Sequence, residues 1–216
     1  RAVMTRTIPR RDFLKAAMRV KLNDQRDLHA ATTAWVNLGY QHSNIVVQPG
    51  QFSRRGGILD VWSPAEPLPV RLEFFGDEVD TLRQFNPATQ RTEARLEESI
   101  IFPASEALPL AALKQQVPMD SLSEFDLPLL YPYPASLVDY FPEDTLILLD
   151  GQEFIQAAVV DIEEEAAQRF STMVEKREIS ADFPAPYITW TEIEDAIGKR
   201  QVLELGYTNT EVGSAF

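Results

Sequence analysis

The chain reads as a helix-plus-antiparallel-sheet α+β unit followed by part of an α/β domain. Two changes of period carry this reading. From 43 to 102 apolar and polar residues alternate, as in half-buried strands, after a helical spacing upstream. After Pro103 the texture changes again, to a continuous apolar run followed by long helical runs, the order of an α/β domain. The 216 residues, 44% hydrophobic and 25% charged, suffice for two modest domains.

The elements follow in order. Pro9 suits a helix's first turn and RRDFLKAAM supplies helix formers, predicting a helix over 10–19 that VKLND breaks. Asp24 is the expected cap of a second helix over 25–38, with Leu28, Ala31, Trp35 and Leu38 on one stripe and Gly39 at its end. NIVVQ reads as a strand, Pro49-Gly50 as a turn and GILDVW as the next strand. VRLEFF is a strand, Gly76-Asp77 fits a type II′ turn with Gly first, and EVDTLRQF returns antiparallel. NPATQRT is a turn, and ESIIFPA closes the set. ALPLAALKQQ is a short helix, and 116–144 is irregular and rich in proline and aromatics. TLILLD suits a strand buried on both faces of a parallel sheet, with Asp150 capping a helix from Gln152 to about Arg177. WTEIEDAIG is a further helix and QVLELG a further strand.

Composition excludes several classes of function. The absence of cysteine rules out disulfide staples and thiolate metal sites, and permits a reducing cytosol. No apolar run reaches the ~18 residues that span a membrane. RAVMTRTIPRR has no apolar h-region, so it is not a secretory signal; a chain that starts at Arg1 and ends in GSAF reads as a piece of something longer. Charge shifts along the chain: net +5 over 1–40, −3 over 41–102 and −15 over 103–216. A chain of net −13 repels phosphate backbones, so nucleic acid is not the expected main partner.

Signatures of chemistry are missing. There is no G-x-x-x-x-G-K-[ST] loop, no G-x-G-x-x-G and no G-x-S-x-G elbow. His29 and His42 lack a carboxylate or second histidine at ligand spacing. The run from Asp161 to Glu165 reads as a solvated helix face. Asp150 ends a strand where nucleotide hydrolases place metal-binding carboxylates, but Gly151 and Gln152 follow it, where a helicase-type motif continues with Glu. The expectation is a chain with no catalytic residues, no metal and no cofactor.

One strand stands out. If Val70, Leu72 and Phe74 of VRLEFF face a core, then Arg71, Glu73 and Phe75 share the other side. Pattern alone leaves two readings open. One is an Arg71–Glu73 ion pair with Phe75 folded under a loop; the other is a protein-binding patch, for which aromatic and Arg side chains are the favoured anchors.

FSRRGGILDVW followed by PVRLEFFGDEVDTLRQFNPATQRT resembles one block of the transcription-repair coupling factor (Mfd) family, and less closely the matching block of the UvrB family. The residues concerned are Phe52, Arg55, Gly56, Gly57 and Asp60, then Arg71 to Glu78, then Phe85 to Arg91. Arg55-Gly56-Gly57 is similar to the coupling factors, where UvrB has R-G-D; Asp150-Gly151-Gln152-Glu153 stands where UvrB reads D-E-S-H. LVDYFPEDTLILLDGQEF and PYITWTEIEDAI extend the resemblance.

The resemblance implies that 1–21 end the first half of a UvrB-like domain 1, that 22–102 are an inserted UvrA-binding α+β domain, and that 103–216 are the second half of that degenerate helicase-like domain. It implies a cytoplasmic bacterial repair protein in which this piece is not an enzyme. ATP would be used by a downstream translocase motor, and RNA polymerase and DNA would be met through other domains. It places Arg55, Arg71, Glu73 and Phe75 on the UvrA-binding surface, with Gly56 and Gly57 as backbone devices that re-aim Arg55. The remaining alternatives are a piece of a UvrB-type ATP-dependent damage-verifying protein, or an autoinhibitory module that masks the same face. A parallel sheet with an open edge would let the piece self-associate.

Overall fold

The computed structural model describes residues 2–119, 122–133, 135–185 and 187–205, in a mixed α/β fold of helices with antiparallel and parallel sheets. Two compact units divide the chain: Ile8–Tyr133, and Arg1–Thr7 together with Pro134–Phe216.

The first unit runs α1 (Arg10–Ala16), β1 (Met18–Lys21), α2 (Leu28–Asn37), β2 (Gln41–His42), β3 (Gln51–Arg55), β4 (Ile58–Val61), β5 (Val70–Phe75), β6 (Glu78–Phe85), β7 (Thr92–Arg95), β8 (Glu98–Ile101), α3 (Pro109–Gln115) and α4 (Leu127–Leu130). β2 to β7 form one six-stranded sheet in sequence order, antiparallel except for the β2–β3 pair. α2 covers one face: Trp35 packs edge-on to Phe52, in a core with Ala31, Leu38, Tyr40, Leu59, Val61, Val70, Leu72, Val79 and Leu82. Tyr40 is buried with its hydroxyl donating to Phe102 O at 2.6 Å, and burial pushes its pKa up to about 12.

Several local expectations change here. The first helix stops at Ala16 because Ala17 turns extended, and residues 18–21, expected as helix end and breaker, form a strand. That strand pairs with β8, Met18 opposite Ile101, so ESIIFPA joins a separate two-stranded sheet instead of closing the main one. The cap of α2 is Asp27, whose side chain accepts from Ala30 N; Asp24 instead accepts from Lys21 N and pairs with Arg26. NIVVQ is a loop, since Gln51 Oε1 takes the backbone N–H groups of Val47 and Gln48 that a strand would offer a neighbour. Thr92 of the expected turn begins β7, an edge strand exposed throughout.

The second unit contains β9 (Leu146–Asp150), α5 (Gln152–Glu175), α6 (Trp190–Ile197) and β10 (Gln201–Leu205). Its N-terminal piece is stitched in by Thr7 N donating to Ala135 O at 2.9 Å. Thr189 and Glu192 form a capping box at the start of α6. β9 and β10 pair in parallel, and their inner side packs Ile147 and Leu149 with Met4, Ile193 and Ile197. The other side is open: Leu146, Leu148, Leu203 and Leu205 are 43–55% exposed. The expected burial on both faces therefore does not hold among the described residues, because the helices cover one side only. Asp150 does not cap α5; Gly151 occupies the cap position and offers no side chain. Gly206 of the expected QVLELG strand, and the GSAF end, lie outside the described residues.

Candidate protein-binding face

Strand order brings the four expected residues to one side of the sheet. β3 and β5 are both antiparallel to β4, so they run the same way and their hairpins lie at the same end. Each turn has two residues, Gly56-Gly57 and Gly76-Asp77, with the first glycine left-handed (φ +60° and +63°), as the type II′ geometry requires. Gly57 also ties the two hairpins together. Its carbonyl accepts from Phe74 N at 2.8 Å, and a Cβ there would come within 3.1 Å of Phe74 O.

Register then defines the face. Arg55, Ile58, Glu73 and Thr81 form one cross-strand row, and Ser53, Asp60, Arg71 and Arg83 form the next. Both rows lie opposite to the core row of Leu59, Leu72 and Leu82. Arg54 pairs with Leu59 and so lies on the other side, as the alternation predicts. A bulge in β6 sets Thr81 opposite Glu73 but Val79 opposite Phe74, leaving Asp80 extra. The alternation of β5 is untouched: Phe74 packs against the core and Phe75 projects on the Glu73 side, 84% exposed.

The charges on this face are paired among themselves. Asp60, 1% exposed, accepts from Arg71 Nε (2.6 Å) and Nη2 (2.8 Å) in a two-pronged contact, and from Arg55 Nη2 at 3.3 Å. Arg71 Nη2 also donates to Gln90 Oε1 at 2.8 Å, and its guanidinium lies 4.4 Å from the centre of the Phe85 ring. The Asp60 hydrogen bonds push the Arg71 pKa further above its ordinary value, outweighing burial, which acts the other way. Glu73 accepts from Arg83 Nη2 and from Thr81 Oγ1.

Of the two readings left open, the one with an Arg71–Glu73 pair and Phe75 folded under a loop does not hold: the pairs are Arg71–Asp60 and Arg83–Glu73, and Phe75 is exposed. The physical reason is register: Asp60 is directly across from Arg71, whereas Glu73 is along the same strand. Arg55 stays accessible, with its side chain 49% exposed, while the Arg71 side chain is only 11% exposed. Gly56 and Gly57 are the turn itself, directly after Arg55.

Asp60, Arg83, Phe85 and Gln90 were not among the expected site residues. An acidic residue inside the apolar run GILDVW was a usable signal for Asp60, since a buried carboxylate demands a cation. No local signal points to Gln90, which reaches Arg71 only because the 86–91 turn places it at φ +60°. His42 packs edge-on to Phe52, and no group of metal-ligating side chains occurs among the described residues. No described helix is long and apolar enough to cross a membrane.

Residues 18–106 match the family model described as the UvrB interaction domain. The chain is 28% identical over 220 residues to a transcription-repair-coupling factor of Bacillus subtilis, an alignment covering 84% of this chain and 19% of that protein. It is 30% identical over 174 residues to that of Escherichia coli (69% of this chain, 15% of the relative) and 41% identical over 108 residues to that of Myxococcus xanthus (50% and 9%). The resemblance read from the motifs is thus shown over much of the chain. The chain spans 9–19% of the length of these relatives.

Proposed function

We propose, from the match of residues 18–106 to the UvrB interaction domain, that this chain is a non-catalytic recruitment module whose sheet face docks UvrA. Arg55, Arg71, Glu73 and Phe75 form that face. The observation that carries the reading is Phe75, a phenylalanine 84% exposed at the end of its strand, on the same side of the sheet as the half-exposed Arg55. A ring left in water beside a two-residue turn adds nothing to the core, whereas it suits a partner's socket.

The rest of the reading extends to the protein of which this chain is a part. Residues 1–21 and 103–216 would belong to a degenerate helicase-like domain interrupted by the insert at 22–102. The pairing of Met18 with Ile101 supports this, because it brings the insert's two ends side by side. Such a protein would work in the bacterial cytoplasm, couple a stalled RNA polymerase to nucleotide excision repair, and meet DNA and ATP through a separate translocase motor. This chain would need no cofactor.

The test is capture of the 216-residue chain by immobilised UvrA. Arg55→Ala combined with Phe75→Ala is expected to abolish capture, and binding equal to the wild type would refute the assignment. Phe75→Ala and Arg55→Ala are cleaner probes than Arg71→Ala, because removing Arg71 strands a buried carboxylate.

A further inference from the structure

Asp60 is buried beneath the contact face, where it presents no surface to a partner, yet it is bonded to Arg55 and Arg71 of that face. We propose that Asp60 is a positioning residue for docking, acting through Arg55; the proposal rests on the docking reading above.

Arg71 is held on every side, by both Asp60 oxygens, by Gln90 and by the Phe85 ring, so it does not swing out to meet a partner. Arg55 is different. It is the last residue of β3, next to two glycines that offer no side chain to pack against, and its stem is half in solvent. An arginine so placed samples many rotamers, and ordering it on binding costs entropy. The Asp60 Oδ2 contact at 3.3 Å holds one Nη2 hydrogen and leaves the other donors of the planar fork on a side chain that is half exposed.

The charge count of the cluster favours the same role. Asp60 with Arg55 and Arg71 sums to +1, and Arg83 with Glu73 to zero, so these paired groups leave one excess positive charge on a chain of net −13. The partner chemistry that fits is a carboxylate for Arg55 beside an apolar socket for Phe75. Without Asp60 the same arginine would still be charged, but it would not be aimed.

A double-mutant cycle on UvrA affinity tests this, using Asp60→Asn, Arg55→Ala and both together in the full 216-residue chain. If Asp60 acts through Arg55, Asp60→Asn weakens binding about fivefold when Arg55 is present and less than about twofold when it is alanine. Equal losses in both backgrounds overturn the proposal. Should Asp60→Asn not fold, 15N relaxation of the Arg55 Nε–H in the wild type decides instead: an ordered side chain supports the proposal and a freely rotating one refutes it. Failure of the docking reading is separately visible, as Arg55→Ala and Phe75→Ala binding like the wild type.

Discussion

Replacing Arg71 by methionine removes a charge that looks exposed in sequence but is buried in the structure. The methionine keeps the stem and most of the apolar contact, so the change isolates the guanidinium. Asp60, 1% exposed, is then left with Arg55 Nη2 at 3.3 Å. Breaking a buried pair from one side costs about 3–5 kcal/mol, because the remaining charge loses most of its compensation, here keeping one contact to a half-exposed arginine. The lost contact over Phe85 adds about 1 kcal/mol. Against a total of about 5–15 kcal/mol for a domain, this is a large fraction. By contrast the Arg83–Glu73 pair, whose side chains are 28% and 30% exposed, should cost at most about 1 kcal/mol on Arg83→Met. Urea titration measures the difference. A Trp190→Phe background leaves Trp35 and Trp62, both in the unit that carries the sheet, as the fluorescent reporters. Asp60→Leu with Arg71→Met should recover most of the loss, since an apolar pair of similar volume leaves no buried charge. A cost under about 1 kcal/mol for Arg71→Met alone, or a double variant no better than the single, would refute the account of this face as a buried ion-pair platform.

Phe75→Ser should leave the melting temperature within about 1–2 °C of the wild type, since an exposed residue contributes little to folding, while UvrA capture falls at least tenfold by about the hot-spot scale. Glu106 is the clearest pH handle. Burial raises its pKa, opposed by Ile8 N donating to its carboxylate and reinforced by Glu124. Its folded pKa lies above the unfolded one, so the neutral form favours folding and that contribution is lost as pH rises through the raised value. Glu106→Gln should therefore flatten the fall in melting temperature between the ordinary glutamate range and neutrality; an unchanged slope would show that Glu106 is not its source. The open leucine row of β9 and β10 predicts self-association that rises with concentration in sedimentation velocity. Leu148→Lys with Leu203→Lys should suppress it, and persistence of the larger species would place the contact elsewhere.

Much of the local order was legible in the residues. Alternation over VRLEFF places that strand and its faces, and Gly76-Asp77 names its turn, because each signal lies within a few neighbouring positions; EVDTLRQF is legible as a strand, but its bulge at Asp80 breaks the alternation of its faces. Thr189 and Glu192 mark the start of α6 in the same way. The misplacements share a cause. NIVVQ has the composition of a strand, but a glutamine after the next turn takes its N–H groups. MRVK looks like a helix end until a segment about eighty residues later pairs with it.

The candidate site divides along the same line. Arg71, Glu73 and Phe75 could be set on one face by counting residues, since strand period is a property of the backbone, whereas Arg55, on another strand, is brought to it by register. Which charge meets which could not, because pairing depends on register between strands and on a turn that returns Gln90 to Arg71 from nineteen positions away. That register buries Arg71 against Asp60, leaves Arg55 outward and exposes the Phe75 ring. The order of residues determines which side chains can share a surface; long-range pairing decides which of them remain free to bind, because only the folded sheet brings opposite charges close enough to neutralise one another.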